Sequence, residues 1–264
     1  MIYSLDNSAA QDPHITGGKA NALARLLAAK FLVPEGFVVT DIKDVGPELE
    51  TRLEPGALYA VRSSGYSEDS TNASFAGQYE SVLGVRGFSS VSHAIARCFD
   101  SFSNSRLAVY RQNRSTGHSG GAVIVQRLVE AEAAGVAFTV EPVTGACDRV
   151  LIESNFGLGE SVVGGHVNPD GFTVIKDTGE IADRRIRDKR FKSALDLDGV
   201  RLEPVAQNMS RQPSLTDDAV RAVATLARRV EEFYASPVDI EWAWKDQQAW
   251  LLQARPVTAA GPRP

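Results

Sequence analysis

Apolar positions along the chain follow two periods, and the switches between them mark the elements. Ala20 to Lys30 puts Leu23, Leu26 and Leu27 on one helical face, directly after Gly17-Gly18-Lys19. Val91 to Gln112 repeats that spacing with Ile95, Phe99, Phe102, Leu107 and Tyr110. Asp217 to Tyr234 reads as a third, strongly amphipathic helix opened by Thr216, a good N-cap. Compact β-like runs cover Phe37 to Thr40, Tyr59 to Arg62, Ala122 to Val129, Gly135 to Val140, Arg149 to Glu153 and Gly171 to Ile175. Near the end, Val238 to Trp244 and Ala249 to Gln253 alternate apolar with polar around the polar turn Lys245 to Gln248, which predicts a β-hairpin.

Strands stand beside helices without strict βαβ alternation, so the expected class is α+β. Polar clusters gather near both ends of the chain, which suits two subdomains with a ligand cleft between them. The expected division is 1–121 for an N-terminal subdomain, 122–258 for a second subdomain, and 259–264 for a frayed tail.

Composition narrows the classes. With 264 residues, 43% of them hydrophobic, the chain can bury a sizeable core. A net charge of -5 carries no basic excess, so nucleic acid is not the expected partner. Cys98 and Cys147 have no metal-ligand spacing and read as small buried hydrophobes. The start, MIYSLDNSAAQD, has no basic, apolar leader, and no run approaches the roughly 18–20 apolar residues of a membrane span. A cytoplasmic protein without a membrane partner is expected.

Four stretches carry candidate chemistry. Gly17-Gly18-Lys19 at a helix start offers backbone N–H groups and an ammonium to an anion, or is simply a glycine turn with a solvated lysine. It lacks the P-loop pattern. Arg62 closes an apolar run and enters the polar stretch SSGYSEDSTNASFAGQYES; its guanidinium can fork onto phosphate or pair with Glu68 or Asp69. Gly77 in that stretch would let backbone approach a ligand closely. Asp239 and Glu241 sit two apart on one strand of the hairpin, as Gln253 and Arg255 do on the other. If the strands pair, all four share a face while Ile240, Trp242, Leu252 and Ala254 point the other way. A carboxylate and an amide oxygen suit Mg²⁺, and a neighbouring arginine suits a polyphosphate. The plain alternative is an exposed face with one salt bridge. Finally, Thr139 in GVAFTVEPVTG could donate to phosphate, and Gly157 and Gly159 permit a tight turn before Glu160. His14, His93, His118 and His166 are scattered without metal or dyad spacing.

In order, GGKANALARL, VPEGFVVT, YAVRSSGYSEDSTNASFAGQYES, AVIVQRLV, GVAFTVEPVTG, IESNFGLGESVVGGHVNPD and DIEWAW…WLLQARPVT resemble the nucleotide-binding domain of the phosphoenolpyruvate synthase and pyruvate phosphate dikinase family, which rifampin phosphotransferases share. The resemblance covers nearly the whole chain. It implies an ATP-grasp-like fold holding ATP and Mg²⁺ between two subdomains. By the same resemblance Lys19 and Arg62 contact the ATP phosphates, Gly77, Ser81 and Val82 line that pocket, and Gln126 lies near the base. Glu241 and Gln253 match metal and phosphate ligands, Arg255 a phosphate-binding arginine, and Asp239 an acid facing the ribose.

Three features depart from the family pattern. Members continue past LLQARP into a domain with a phosphorylated histidine, and none of the four histidines here lies in such a motif. The segment from Thr40 to Tyr59 is short for the family, and Lys30 stands where members often have Gly. The expected activity is therefore an ATP- and Mg²⁺-dependent phosphotransferase component acting on a histidine of a separate partner protein or on a small-molecule acceptor. A freestanding ATP-grasp kinase or ligase, releasing ADP or an adenylate, is one alternative. A non-catalytic nucleotide-binding regulatory module is another.

Overall fold

The computed structural model describes residues 1–43, 46–66, 80–112, 120–142, 144–196 and 199–257, with 103–112 described by their backbone alone. The elements in chain order are β1 (Ile2–Ser4), α1 (Pro13–Ala28), β2 (Gly36–Val39), α2 (Gly46–Arg52), β3 (Leu58–Gly65), β4 (Ser81–Arg86), α3 (Gly87–Gln112), β5 (Gly121–Arg127), β6 (Ala133–Phe138) and β7 (Arg149–Phe156). There follow α4 (Glu160–Val163), β8 (Asp170–Ile175), β9 (Ile181–Arg185), β10 (Phe191–Asp196), β11 (Gly199–Pro204), α5 (Asp217–Tyr234), β12 (Val238–Lys245) and β13 (Gln248–Pro256). The class is α+β, in two compact units: Met1–Leu128 with Asp196–Gly199, and Val129–Leu195 with Val200–Pro264.

Unit 1 is built on an antiparallel sheet of order β1-β2-β5-β3-β4. The run from Ala122 is the central strand of this sheet, paired to both β2 and β3, so the first unit extends past the expected boundary at 121. One sheet face presents Phe37, Val39, Tyr59, Val61, Val123 and Val125, and α3 covers it with Val91, Ala94, Ile95 and Cys98. The opposite face carries Ala60, Arg62, Ser64 and Gln126, and α1 lies against its strands β3 and β5. Cys98 is buried as expected, but Cys147 is exposed, because it sits in the loop after β6 rather than in an element.

Helix α1 ends in a Schellman turn. The Phe31 N–H donates to Leu26 O at 3.0 Å and the Lys30 N–H to Leu27 O at 2.9 Å. Lys30 adopts φ 66, a left-handed conformation in which the lysine Cβ crowds the backbone and glycine does not. That is the physical reason a glycine suits this position.

Unit 2 holds a six-stranded antiparallel sheet of order β13-β12-β6-β7-β8-β9 and a separate ribbon, β10-β11. Helix α5 packs on one face of the large sheet, burying Val220, Val223, Ala227 and Val230 against strands that present Ile240, Trp242, Ile152 and Ala254. Thr216 caps it as expected, its hydroxyl accepting from the Ala219 N–H at 3.3 Å. Asp170 at the start of β8 is fully buried yet saturated. It accepts at 2.8 Å from Lys189 Nζ, from the Arg187 N–H, and from both the N–H and hydroxyl of Ser214. This network fastens two connecting segments to the sheet without leaving a buried charge unpaired. No helix among the described residues is long and apolar enough to cross a membrane.

Candidate functional site

In unit 1 the geometry starts from a break in α1. Gly17 has φ 77 and ψ 171, so the chain turns before the helix proper begins at Gly18-Lys19-Ala20. A Cβ at Gly17 would lie 2.2 Å from the Ser64 carbonyl oxygen, so only glycine permits this approach to β3. The Ala20 N–H then donates to the Ser64 hydroxyl at 3.0 Å. A side chain from a strand thus satisfies one of the open donors at the helix start, the task an N-cap normally performs. Lys19, beside this bond, is half-buried.

Arg62 lies in the middle of β3, not at a strand end, because the serines after it are strand residues. Ser63 donates from its hydroxyl to Glu80 O at 2.9 Å, and Ser64 is consumed by Ala20. Arg62 and Ser64 share a face, two residues apart, so the lysine turn and the arginine are tied to the same side of one sheet. Ser81 is the register partner of Arg62 and shares that face. Val82 pairs with Val61 instead and packs into the α3 core, so its side chain is turned away from Arg62. Gln126 is on the Arg62 side but only 2% exposed, its amide donating to Pro34 O at 2.9 Å. Gly77, Glu68 and Asp69 lie outside the described residues.

In unit 2 the hairpin registers as the alternation predicts. Asp239 pairs with Arg255, and Glu241 with Gln253. The Asp246-Gln247 turn has positive φ at both positions, the geometry whose twist matches the flanking strands. One detail differs from the sequence reading. A bulge after Glu241 sets Trp242 opposite Leu251, so Leu251, fully buried, fills the place expected for Leu252. Ile240, Trp242 and Ala254 do turn into the core beneath α5.

Arg255 Nε donates to Asp239 Oδ2 at 3.0 Å, with the Asp239 side chain 14% exposed and that of Arg255 44%. Burial raises the Asp239 carboxyl above its ordinary value; Arg255 pulls against that rise, and Glu241 adds to it. Glu241 is half-buried and Gln253 nearly buried. Thr139, which follows β6 beside the start of β12, is differently employed. Its hydroxyl is fully buried and accepts from the Val238 N–H at 2.8 Å, closing the β6–β12 ladder. That leaves it a structural duty in this structure.

The donor set at the hairpin fits Mg²⁺ on its own terms. Glu241 and Gln253 present one carboxylate and one amide oxygen across a single register step. No group of three His, Cys, Asp or Glu residues able to hold a metal occurs among the described residues. Mg²⁺ is commonly held by one or two protein oxygens, with waters and substrate phosphates completing its shell.

Sequence reasoning missed Ser64, the anchor of the lysine turn. The signal was present: a serine two residues beyond an arginine, on the same strand parity, with a Gly-Gly pair elsewhere needing a close neighbour.

Residues 38–263 match the family described as pyruvate phosphate dikinase, AMP/ATP-binding domain. Among curated relatives, the prodigiosin synthesizing transferase PigC of Serratia marcescens is 36% identical over 295 residues, covering 98% of this chain and 33% of that protein. A probable phosphoenolpyruvate synthase of Methanothermobacter thermautotrophicus is 40% identical over 307 residues, covering 95% of this chain and 45% of that protein. A rifampicin phosphotransferase of a Streptomyces species is 39% identical over 211 residues, covering 79% of this chain and 24% of that protein. The chain therefore spans less than half the length of each of these relatives. With the match running over most of its residues, this chain belongs to the pyruvate phosphate dikinase AMP/ATP-binding domain family.

Proposed function

We propose that this chain is the ATP-grasp-like, nucleotide-handling part of a phosphotransferase of the phosphoenolpyruvate synthase and pyruvate phosphate dikinase type. It binds ATP with Mg²⁺ and passes a phosphoryl group to a histidine on a separate protein or to a small-molecule acceptor. The observation that carries the reading is the hairpin register, which sets Asp239 against Arg255 and Glu241 against Gln253 on one sheet face.

Phosphoryl transfer asks a protein mainly for position and for cations around the developing charge. Arg255 supplies a guanidinium whose direction is fixed by Asp239. Lys19 and Arg62 supply two more cations, held in unit 1 by the Ala20–Ser64 bond and by the β3 ladder. Glu241 and Gln253 would hold Mg²⁺, which when bound neutralises phosphate charge and fixes the oxygens to which it binds. Ser81 stands beside Arg62 and can donate its hydroxyl to a phosphate oxygen.

Product analysis tests this reading. Purified protein with ATP, Mg²⁺ and a phosphohistidine-domain protein should release AMP and inorganic phosphate, the β-phosphoryl group passing to the histidine and the γ-phosphoryl group to water. Release of ADP instead would point to a simple kinase or an acyl-phosphate ligase. ATP that is bound but never turned over by any acceptor would leave a regulatory nucleotide-binding module.

A further inference from the structure

Beyond the hairpin acids, the same sheet face of unit 2 carries Glu153. Register sets Gln253 beside Glu241, Glu241 beside Val136, Val136 beside Glu153, and Glu153 beside Gly171. A single rung thus crosses five strands with its side chains on a common face. Two strand spacings, about 9.5 Å, separate the backbones of Glu241 and Glu153.

Their surroundings differ in kind. Asp239, the acid that the family resemblance turns toward the ribose, is nearly buried and already accepts from Arg255. Glu153 is exposed, and its carboxylate has no hydrogen-bond or ion-pair partner among the described residues. The ground between Glu241 and Glu153 is apolar: Val136 lies in the rung, with half-buried Phe138 and Leu151 in the next. Beyond Glu153 the rung is open, since Gly171 has no side chain. The Arg185 guanidinium leans over that glycine, 3.5 Å from where a Cβ would stand, and is paired to Asp183 at 3.2 Å.

Resting on the ATP reading above, we infer that Glu153, not Asp239, is the carboxylate that recognises the nucleotide's sugar. A vicinal diol presents two O–H donors, and an unpaired carboxylate presents two acceptor oxygens to meet them. With the phosphates at Glu241, Gln253 and Arg255, the apolar step across Val136 separates the triphosphate anchor from the sugar anchor. Asp239 keeps the narrower task of aiming Arg255. Glu153 is therefore a specificity residue for ribonucleotides, because a site built around a hydroxyl discriminates against the analogue lacking it.

Calorimetric titration of ATP and of 2′-deoxyATP, both with Mg²⁺, into wild type, Glu153→Ala and Arg185→Ala tests this. Glu153 is exposed, so its substitution leaves the fold intact, which circular dichroism checks. Wild type should prefer ATP by about 10- to 100-fold, the range of a hydrogen bond to a charged acceptor. Glu153→Ala should lower ATP affinity to within about 3-fold of the deoxynucleotide, while Arg185→Ala keeps the wild-type ratio. An unchanged ratio in Glu153→Ala, or no preference in wild type, would overturn the assignment. A wild-type protein that bound neither nucleotide would overturn the ATP reading and this assignment with it.

Discussion

Asp239 and Arg255 face each other across the β12–β13 hairpin, with Arg255 Nε 3.0 Å from Asp239 Oδ2. The pair is asymmetric: the acid is nearly buried and the base is half in solvent. Burial raises the Asp239 carboxyl above the ordinary carboxylate value of about 4. Its folded value then exceeds its unfolded one, so folding takes up a proton between the two. The stability this group contributes is present below the unfolded value and is lost as pH rises through the folded value. Asp239→Asn should therefore leave stability at neutral pH unchanged or slightly raised in a denaturant melt. The same variant should bind ATP more weakly, and the loss of binding expected of wild type as Asp239 protonates should be absent from its pH profile. A variant that lost stability and kept its ATP affinity would show that the pair is structural alone.

The lysine turn rests on two contacts to one serine. Gly17→Ala places a Cβ 2.2 Å from Ser64 O at a residue with φ 77, and should destabilise unit 1 or displace the start of α1. Ser64→Ala removes the acceptor for the Ala20 N–H and should cost about 0.5–2 kcal/mol, the range of a lost N-cap. Chemical denaturation measures both. A Ser64→Ala protein as stable as wild type would show that the bond contributes nothing.

Lys30 offers the opposite experiment. Its φ of 66 disfavours any residue with a Cβ, and glycine there relieves the crowding at some entropic cost in the unfolded chain. Lys30→Gly should stabilise the protein by about 0.5–1 kcal/mol, read as a rise in denaturation midpoint without a change in slope. A destabilised variant would show that the lysine side chain makes a compensating contact.

Lys189 and Asp170 are both fully buried, so the ion pair cannot be halved cheaply. Lys189→Ala leaves a carboxylate with three remaining donors and no cation, and should cost about 3–5 kcal/mol. The measurement is again an unfolding curve, and a loss below about 1 kcal/mol would contradict the reading of this network as a clasp.

The parts of the fold legible in the sequence were those with a local cause. The hairpin follows from alternating runs around a short polar turn, so Asp239, Glu241, Gln253 and Arg255 pair across one face as read. Thr216 announces α5 because capping is a matter of a few adjacent residues. What escaped reading depends on partners distant in the chain. Ser63 and Ser64 look like loop residues, yet their hydroxyls are satisfied by Glu80 and Ala20, so β3 runs on and Arg62 is internal to it. The run from Ala122 gives no sign of belonging with β2 and β3, because antiparallel pairing across about 60 to 90 residues leaves no local mark. Thr139 reads as a free hydroxyl until Val238, 99 residues away, is found to use it. The bulge at Glu241 moved one core position, and no turn or glycine in the sequence signalled it.

The central claim is that Glu241 and Gln253 hold the metal through which this chain binds ATP. Isothermal titration of ATP into wild type and Glu241→Gln, each with Mg²⁺ and with EDTA, measures it directly. Wild type should bind at least 10-fold more tightly with Mg²⁺ than without, and Glu241→Gln should lose most of that difference while melting like wild type. Equal ATP affinity with and without Mg²⁺ in wild type, or an undiminished Mg²⁺ effect in Glu241→Gln, would contradict it.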